Sequence, residues 1–232
     1  MARSPALTIT LDHGHGRQYA PGMMEVDRTV DARSPRLKLP LVLHVRPVID
    51  ITREQFFDLC RLNPDVQIER TSEGDIVIMA PTGGETGARN ARLVAQVTRW
   101  ADEDGSGVAF DSSTGFELPN GAIRAPDVAW VQRSRLSRLS PEEKQRFLPL
   151  CPDFVIEVRS PFDTLAAVRD KMEEYRAHGT ALGWLIDPVR KQVSIYRVDG
   201  SVEHLDQPSD ITGDPIVPGF VVHLATIWES AF

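Results

Sequence analysis

The sequence predicts an α/β domain that carries an additional β-hairpin. Two patterns predict it. Strand-period and helix-period signals alternate beyond about residue 37, and an apolar run, Phe154-Val155-Ile156-Glu157-Val158, leads directly into a helical stripe and two further strands. Length is the third bound. The 232 residues suit one such domain with extra terminal structure, or at most two small domains. A hydrophobic fraction of 41% allows a sizeable core, and 25% charged residues is ordinary for a globular chain.

Residues 1–36 are rich in Arg, Pro, Gly and His without a period, and read as a poorly ordered N-terminal arm ahead of a single domain over 37–232. Leu39, Leu41 and Leu43 alternate as a short entering strand. Thr52 and Gln55 have capping-box spacing, so a helix starts there with Phe56, Leu59 and Cys60 on one face. Val66–Arg70 and Ile76–Met79 form the hairpin around Ser72-Glu73-Gly74. A long helix over about 85–102 carries the stripe Leu93, Val94, Val97, Trp100 and Ala101. Asn90 falls within that stripe, and an amide facing a core needs partners.

Short strands follow near Val108–Asp111, Gly115–Leu118 and Asp127–Val131. Segment 132–146 holds Arg133, Arg135, Arg138, Lys144 and Arg146, a basic stretch that would either track a DNA backbone or form a solvated surface. After Phe154–Val158, a helix over Thr164–His178 shows Leu165, Val168, Met172 and Tyr175 on one face, and Gly179 closes it. Leu182–Ile186 and Val193–Val198 read as strands turned by Asp187-Pro188. The tail carries Pro218-Gly219-Phe220 and then Val221–Leu224.

No apolar run is long enough to span a bilayer, and the N-terminus lacks the apolar stretch of a secretory signal. Cys60 and Cys151 have no metal-type spacing, so a cytoplasmic protein with reduced thiols is expected. The net charge of −7 argues against a broadly basic DNA-gripping surface. Gly-x-Ser-x-Gly and Gly-x-x-x-x-Gly-Lys motifs are absent, which argues against a nucleophile-elbow hydrolase and a P-loop.

Glu157 interrupts an otherwise apolar strand. An ionised Glu there needs a cation or donors, so it reads either as a ligand or as half of a salt bridge, with Arg159 or a helix supplying the other half. Asp127 follows Pro126, which has no amide donor and belongs at a strand start. A strand beginning there beside the Glu157 strand would bring two carboxylates together, and such hard oxygen donors suit Mg²⁺ or Mn²⁺. The alternative for Asp127 is a turn or cap. Lys171 flanks the stripe next to Tyr175, where its ammonium can reach towards the sheet or remain solvated.

Pro126-Asp127, Glu157-Val158-Arg159-Ser160-Pro161, Lys171, Tyr175 and Gly183-Trp184-Leu185-Ile186-Asp187-Pro188 together resemble the Uma-two family of the PD-(D/E)XK nuclease superfamily. The likeness extends upstream through Glu69, Gly74–Met79 and Pro81 and downstream to Pro218-Gly219-Phe220. It implies a restriction-endonuclease-like mixed β-sheet flanked by helices, a homodimer, and Mg²⁺- or Mn²⁺-dependent endonuclease chemistry on DNA. By this resemblance Asp127, Glu157, Lys171 and Glu69 are catalytic. Asp127, Glu157 and the Val158 carbonyl hold the metal, Glu69 reaches it through water, and Arg159 and Arg124 bind phosphate. The superfamily places a lysine two residues after the acid, where this chain has Arg159; Lys171 from the next helix takes its part. Where family members often have a His, this chain has Asn90. The rival reading is a catalytically silent module of the same fold that binds DNA or a protein partner.

Overall fold

The computed structural model describes residues 40–229. The expected arm over 1–36 lies outside the described residues. The chain enters at β1 (Leu41–Leu43) and continues into α1 (Arg53–Leu62). Thr52 caps α1 through the capping box with Gln55, and Phe56 is its buried anchor. Strands β2 (Ile68–Arg70) and β3 (Ile76–Ile78) form the hairpin. Gly74 turns it at φ +91, a backbone region that side chains resist. Helix α2 (Gly84–Asp104) follows, then β4 (Gly107–Asp111), β5 (Phe116–Glu117), β6 (Ile123–Arg124) and β7 (Val128–Gln132).

After the short α3 (Arg133–Leu136) come β8 (Phe154–Val158), α4 (Leu165–Ala177), β9 (Leu182–Asp187) and β10 (Gln192–Arg197). The chain closes with β11 (Val202–Asp206), β12 (Asp210–Thr212), β13 (Val221–His223) and α5 (Ala225–Trp228). The central sheet is six-stranded and mixed, in the order β11-β10-β9-β8-β7-β4. Within this sheet, among the described residues, only β8 and β9 pair in parallel, with α4 as their crossover. The hairpin belongs to a second, antiparallel sheet of order β1-β3-β2-β6-β5.

Both faces of β8 are covered, which is why its sequence is apolar on both. Phe154, Ile156 and Val158 pack with Leu93, Val97 and Ala101 of α2 and with the C-terminal segment. Val155 packs on the other face with Met172 and Tyr175 of α4. Gly183 lets α4 approach closely, since a Cβ there would lie 2.5 Å from the Met172 methyl carbon. The tail motif is structural: the Phe220 ring stacks on Trp184 at 5.7 Å, and the Pro218 carbonyl accepts from Trp100 Nε1 at 3.0 Å. Among the described residues, no helix is long and apolar enough to cross a membrane.

Candidate active site

The site lies where β8 ends and β7 begins. Val128 sits opposite Ile156 in the antiparallel register, so the next hydrogen-bonding position would set Pro126 against Val158. Proline has no N–H, and the ladder cannot close there. The side chain of Asp127 takes the free place: its Oδ2 accepts from the Val158 amide at 2.8 Å. The Val158 carbonyl points to the same side of its strand, and proline offers it no donor.

Glu157 reaches towards α4. Its Oε1 accepts from the Tyr175 hydroxyl at 3.0 Å and meets Lys171 Nζ at 2.9 Å. The same ammonium donates to Glu69 Oε1 at 2.9 Å, joining the two sheets. Glu69 also accepts from the Ala125 amide at 3.0 Å and from Arg124 Nη1 at 3.1 Å. Arg124 in turn donates to Glu174 at 2.6 Å. Asp127 Oδ1 accepts from Asn90 Nδ2 at 2.6 Å. Asp127, Glu157, Val158, Lys171 and Glu69 line one cleft of about 100 Å³.

The electrostatics separate these acids. Burial, with Asp127 and Glu69 nearby, pushes Glu157 up to about 7 in spite of Lys171. Burial also holds Asp127 above the usual carboxylate range, against the Val158 amide, Lys171 and Asn90. Glu69 goes the other way: burial pushes it up, but Lys171 and Arg124 outweigh that and hold it low. Burial would likewise lower Lys171, yet Glu157 and Glu69 keep its ammonium well above the ordinary lysine range. Burial and then Glu157 raise Tyr175, which therefore stays a donor.

Two findings bear on a metal. The buried Asn90 Oδ1, beside Asp127, has no hydrogen-bond partner. Burial holds Asp127 and Glu157, two of the acids that line the cleft, above the ordinary carboxylate range, so a cation beside them would favour their ionised forms. Among the described residues, no three of His, Cys, Asp and Glu form a metal cage. Mg²⁺ does not need one, since it ordinarily takes one or two carboxylates and keeps several waters. Asp127, Glu157 and the Val158 carbonyl fit such an ion.

Residues 53–226, most of the chain, match the Uma2 (Uma-two) family, described as "Putative restriction endonuclease". The chain belongs to the Uma2 family. A solved crystal structure from Anabaena variabilis, described as "a putative nuclease belonging to DUF820", aligns with a TM-score of 0.63 at 22% identity. The match covers 77% of this chain and 98% of that one. At that identity the likeness shows the fold, which is the nuclease-like mixed sheet with helices that the sequence predicts. No protein of curated function matches the chain.

The Uma2 motif residues fall into two sets. Asp127, Glu157, Lys171 and Glu69 line one cleft, with Glu69 held by Lys171, Arg124 and the Ala125 amide. Arg159 and Asp187 pair with each other at 2.8 Å, and Arg159 does not line the cleft. Asp187 Oδ1 meanwhile accepts from the Val189 and Arg190 amides, so this second set braces the turn after β9. Arg124 borders the adjoining groove, but two carboxylates hold it. The basic segment begins at the far end of β7 from Asp127. There Arg135 pairs with Asp153, and Arg133 donates to the Gly105 and Gly107 carbonyls. The sequence reading gave no role to Asn90 or Tyr175. The signals were present: an amide inside an apolar stripe, and a tyrosine one helical turn after Lys171.

Proposed function

We propose that this Uma2 protein is a metal-dependent endonuclease that hydrolyses phosphodiester bonds in DNA, in the manner of the PD-(D/E)XK superfamily and as a homodimer. The observation that carries the reading is the convergence of Asp127, Glu157 and Lys171 on one cleft. Asp127, Glu157 and the Val158 carbonyl would hold Mg²⁺ or Mn²⁺. A divalent ion bound there would polarise the scissile phosphate and lower the pKa of the attacking water.

The chain's own groups do the rest. The ammonium of Lys171, kept protonated by two carboxylates, stabilises the negative charge that grows on the phosphate. That charge grows as the water oxygen bonds to phosphorus and the bridging P–O bond breaks; the attacking water releases a proton to solvent and the leaving oxygen takes one up, giving a phosphomonoester and a hydroxyl. Glu69 positions Lys171, and Tyr175 fixes the Glu157 carboxylate.

The test is cleavage of plasmid and of labelled single-stranded DNA with Mg²⁺ or Mn²⁺, with a chelator as control. Cutting that needs the ion and disappears in Asp127→Ala and Glu157→Ala supports the proposal. Equal cutting by wild type and both variants would sink it. The silent-module reading is favoured by Arg159 at the motif-lysine position, and calorimetry showing no Mn²⁺ binding would select it. Sedimentation of the full chain tests the homodimer.

A further inference from the structure

The turn between β8 and α4 displays an aromatic ring at the mouth of the cleft. Phe162 is 82% exposed, yet it lines the same cleft as Asp127 and Glu157. A lone exposed apolar side chain is ordinary, but two features set this one apart.

The first is bracing. The Ser160 amide donates to Asp163 Oδ2 at 2.8 Å, and the Asp163 amide donates to the Ser160 carbonyl at 3.2 Å. The Phe162 amide donates to Ser160 Oγ at 3.3 Å. Arg159, anchored on Asp187, donates to the Asp163 carbonyl at 3.3 Å. Pro161 restricts the backbone further. A ring on a fixed turn loses little freedom when a ligand covers it.

The second is charge. Lys171 in the cleft, Arg124 in the adjoining groove and Arg159 beside the turn are each held by carboxylates. The cleft itself carries Asp163, and the adjoining groove adds Glu73, Asp170 and Glu174. Such a surface gains little from releasing counterions at a nucleic-acid backbone. Stacking of a base on an aromatic ring needs no cation and contributes about 1–3 kcal/mol per base.

We infer that Phe162 is a stacking platform for a nucleobase beside the scissile phosphate, so that the cleft takes single-stranded or locally unpaired DNA in preference to intact duplex. This rests on the nuclease reading above. Bases inside a duplex are already stacked on both faces, and exposing one costs a few kcal/mol. An unpaired base offers its face without that cost.

The experiment compares full-length wild type, Phe162→Ala and Phe162→Trp on a labelled single-stranded oligonucleotide and on the same sequence as duplex, with Mn²⁺. Phe162→Ala should raise KM for the single strand about 10–100-fold with little change in kcat, and should barely alter duplex cutting. Phe162→Trp should retain activity, and its added indole emission should fall on addition of the single strand. A wild type that cuts the single strand with a KM unchanged in Phe162→Ala overturns the platform and leaves the nuclease reading standing. A Phe162→Ala variant that sediments as a smaller species than wild type makes the ring a subunit contact and also overturns it. A wild type that cuts neither substrate removes the nuclease reading, and the platform with it.

Discussion

Glu69 on the hairpin sheet and Glu157 on the central sheet are about equally buried, at 3% and 7% exposure, yet their acidities move in opposite directions. Glu69 collects an amide, an ammonium and a guanidinium, and stays ionised. Glu157 has a hydroxyl and a share of one ammonium, with two other acids close by, and is held near neutrality. Burial alone therefore does not decide the charge state; the balance of donors does. The hairpin side of the site is a closed ion-pair network. On the sheet side, burial and the neighbouring acids outweigh the one shared ammonium.

The strongest way to break this contrast is to delete the acids on the sheet side. Asp127→Ala and Glu157→Ala should each lower kcat/KM by about 10³-fold or more, since each removes a ligand of the ion proposed to stabilise the transition state. Without metal each should also cost about 1–3 kcal/mol in stability, because Asp127→Ala leaves the Val158 amide and Glu157→Ala leaves the Tyr175 hydroxyl without an acceptor. Glu69→Ala should cost more. It strips partners from Lys171 and Arg124 and should cost about 3–5 kcal/mol in urea unfolding. A cost below about 1 kcal/mol would show that the network is not closed.

Glu157→Gln sharpens the contrast through pH. The folded pKa of Glu157, about 7, lies above its ordinary value of 4.5. The folded state thus binds the proton more tightly, and the stability this gives is complete below pH 4.5 and lost as pH rises through 7. Glu69, held low, contributes oppositely: its stability is present above pH 4.5 and lost on acidification. In metal-free buffer, Glu157→Gln should therefore match wild type near pH 4.5 and exceed it by up to about 3 kcal/mol at pH 8. Divalent ion should close that gap by stabilising wild type alone. Parallel melting curves for the two proteins from pH 5 to pH 8 would contradict the assignment.

Much of this site is legible in the chain because single positions carry strong constraints. Pro126 cannot donate to a ladder, which points to a strand start with Asp127 at its mouth. A Glu in a five-residue apolar strand had to have a partner, and Lys171 lies on the right edge of its helix. The capping box at Thr52 and the turn at Gly74 are local chemistry and could be read directly. Strands β11 and β12 were not, because their residues are largely exposed and their pairing is set by neighbours far along the chain. The fate of Arg159 and Arg124 was equally hidden. An arginine near an acid looks free for phosphate until tertiary structure supplies Asp187 or Glu174. At 132–146 charge density left both readings open; the segment starts at the end of β7 away from Asp127, where Asp153 holds Arg135.

Asn90 gives the smallest expected effect and the finest discrimination. Its Nδ2 holds Asp127 Oδ1, while its Oδ1 is buried without a partner. An unmet acceptor costs about 1–3 kcal/mol where nothing arrives to use it. If a hydrated cation binds at Asp127, which Asn90 holds, one of its waters would supply the missing donor, and the cost would become part of the binding energy. Asn90→Ala removes both the cost and the brace. It should weaken Mn²⁺ binding by about 10-fold, within the range seen when a ligand loses its supporting partner. Metal-free stability should change by less than about 1 kcal/mol, because the lost hydrogen bond and the relieved acceptor offset each other. Calorimetry and melting on the same variant separate these outcomes. A large stability loss with unchanged Mn²⁺ affinity would make Asn90 a core amide and remove its link to the ion.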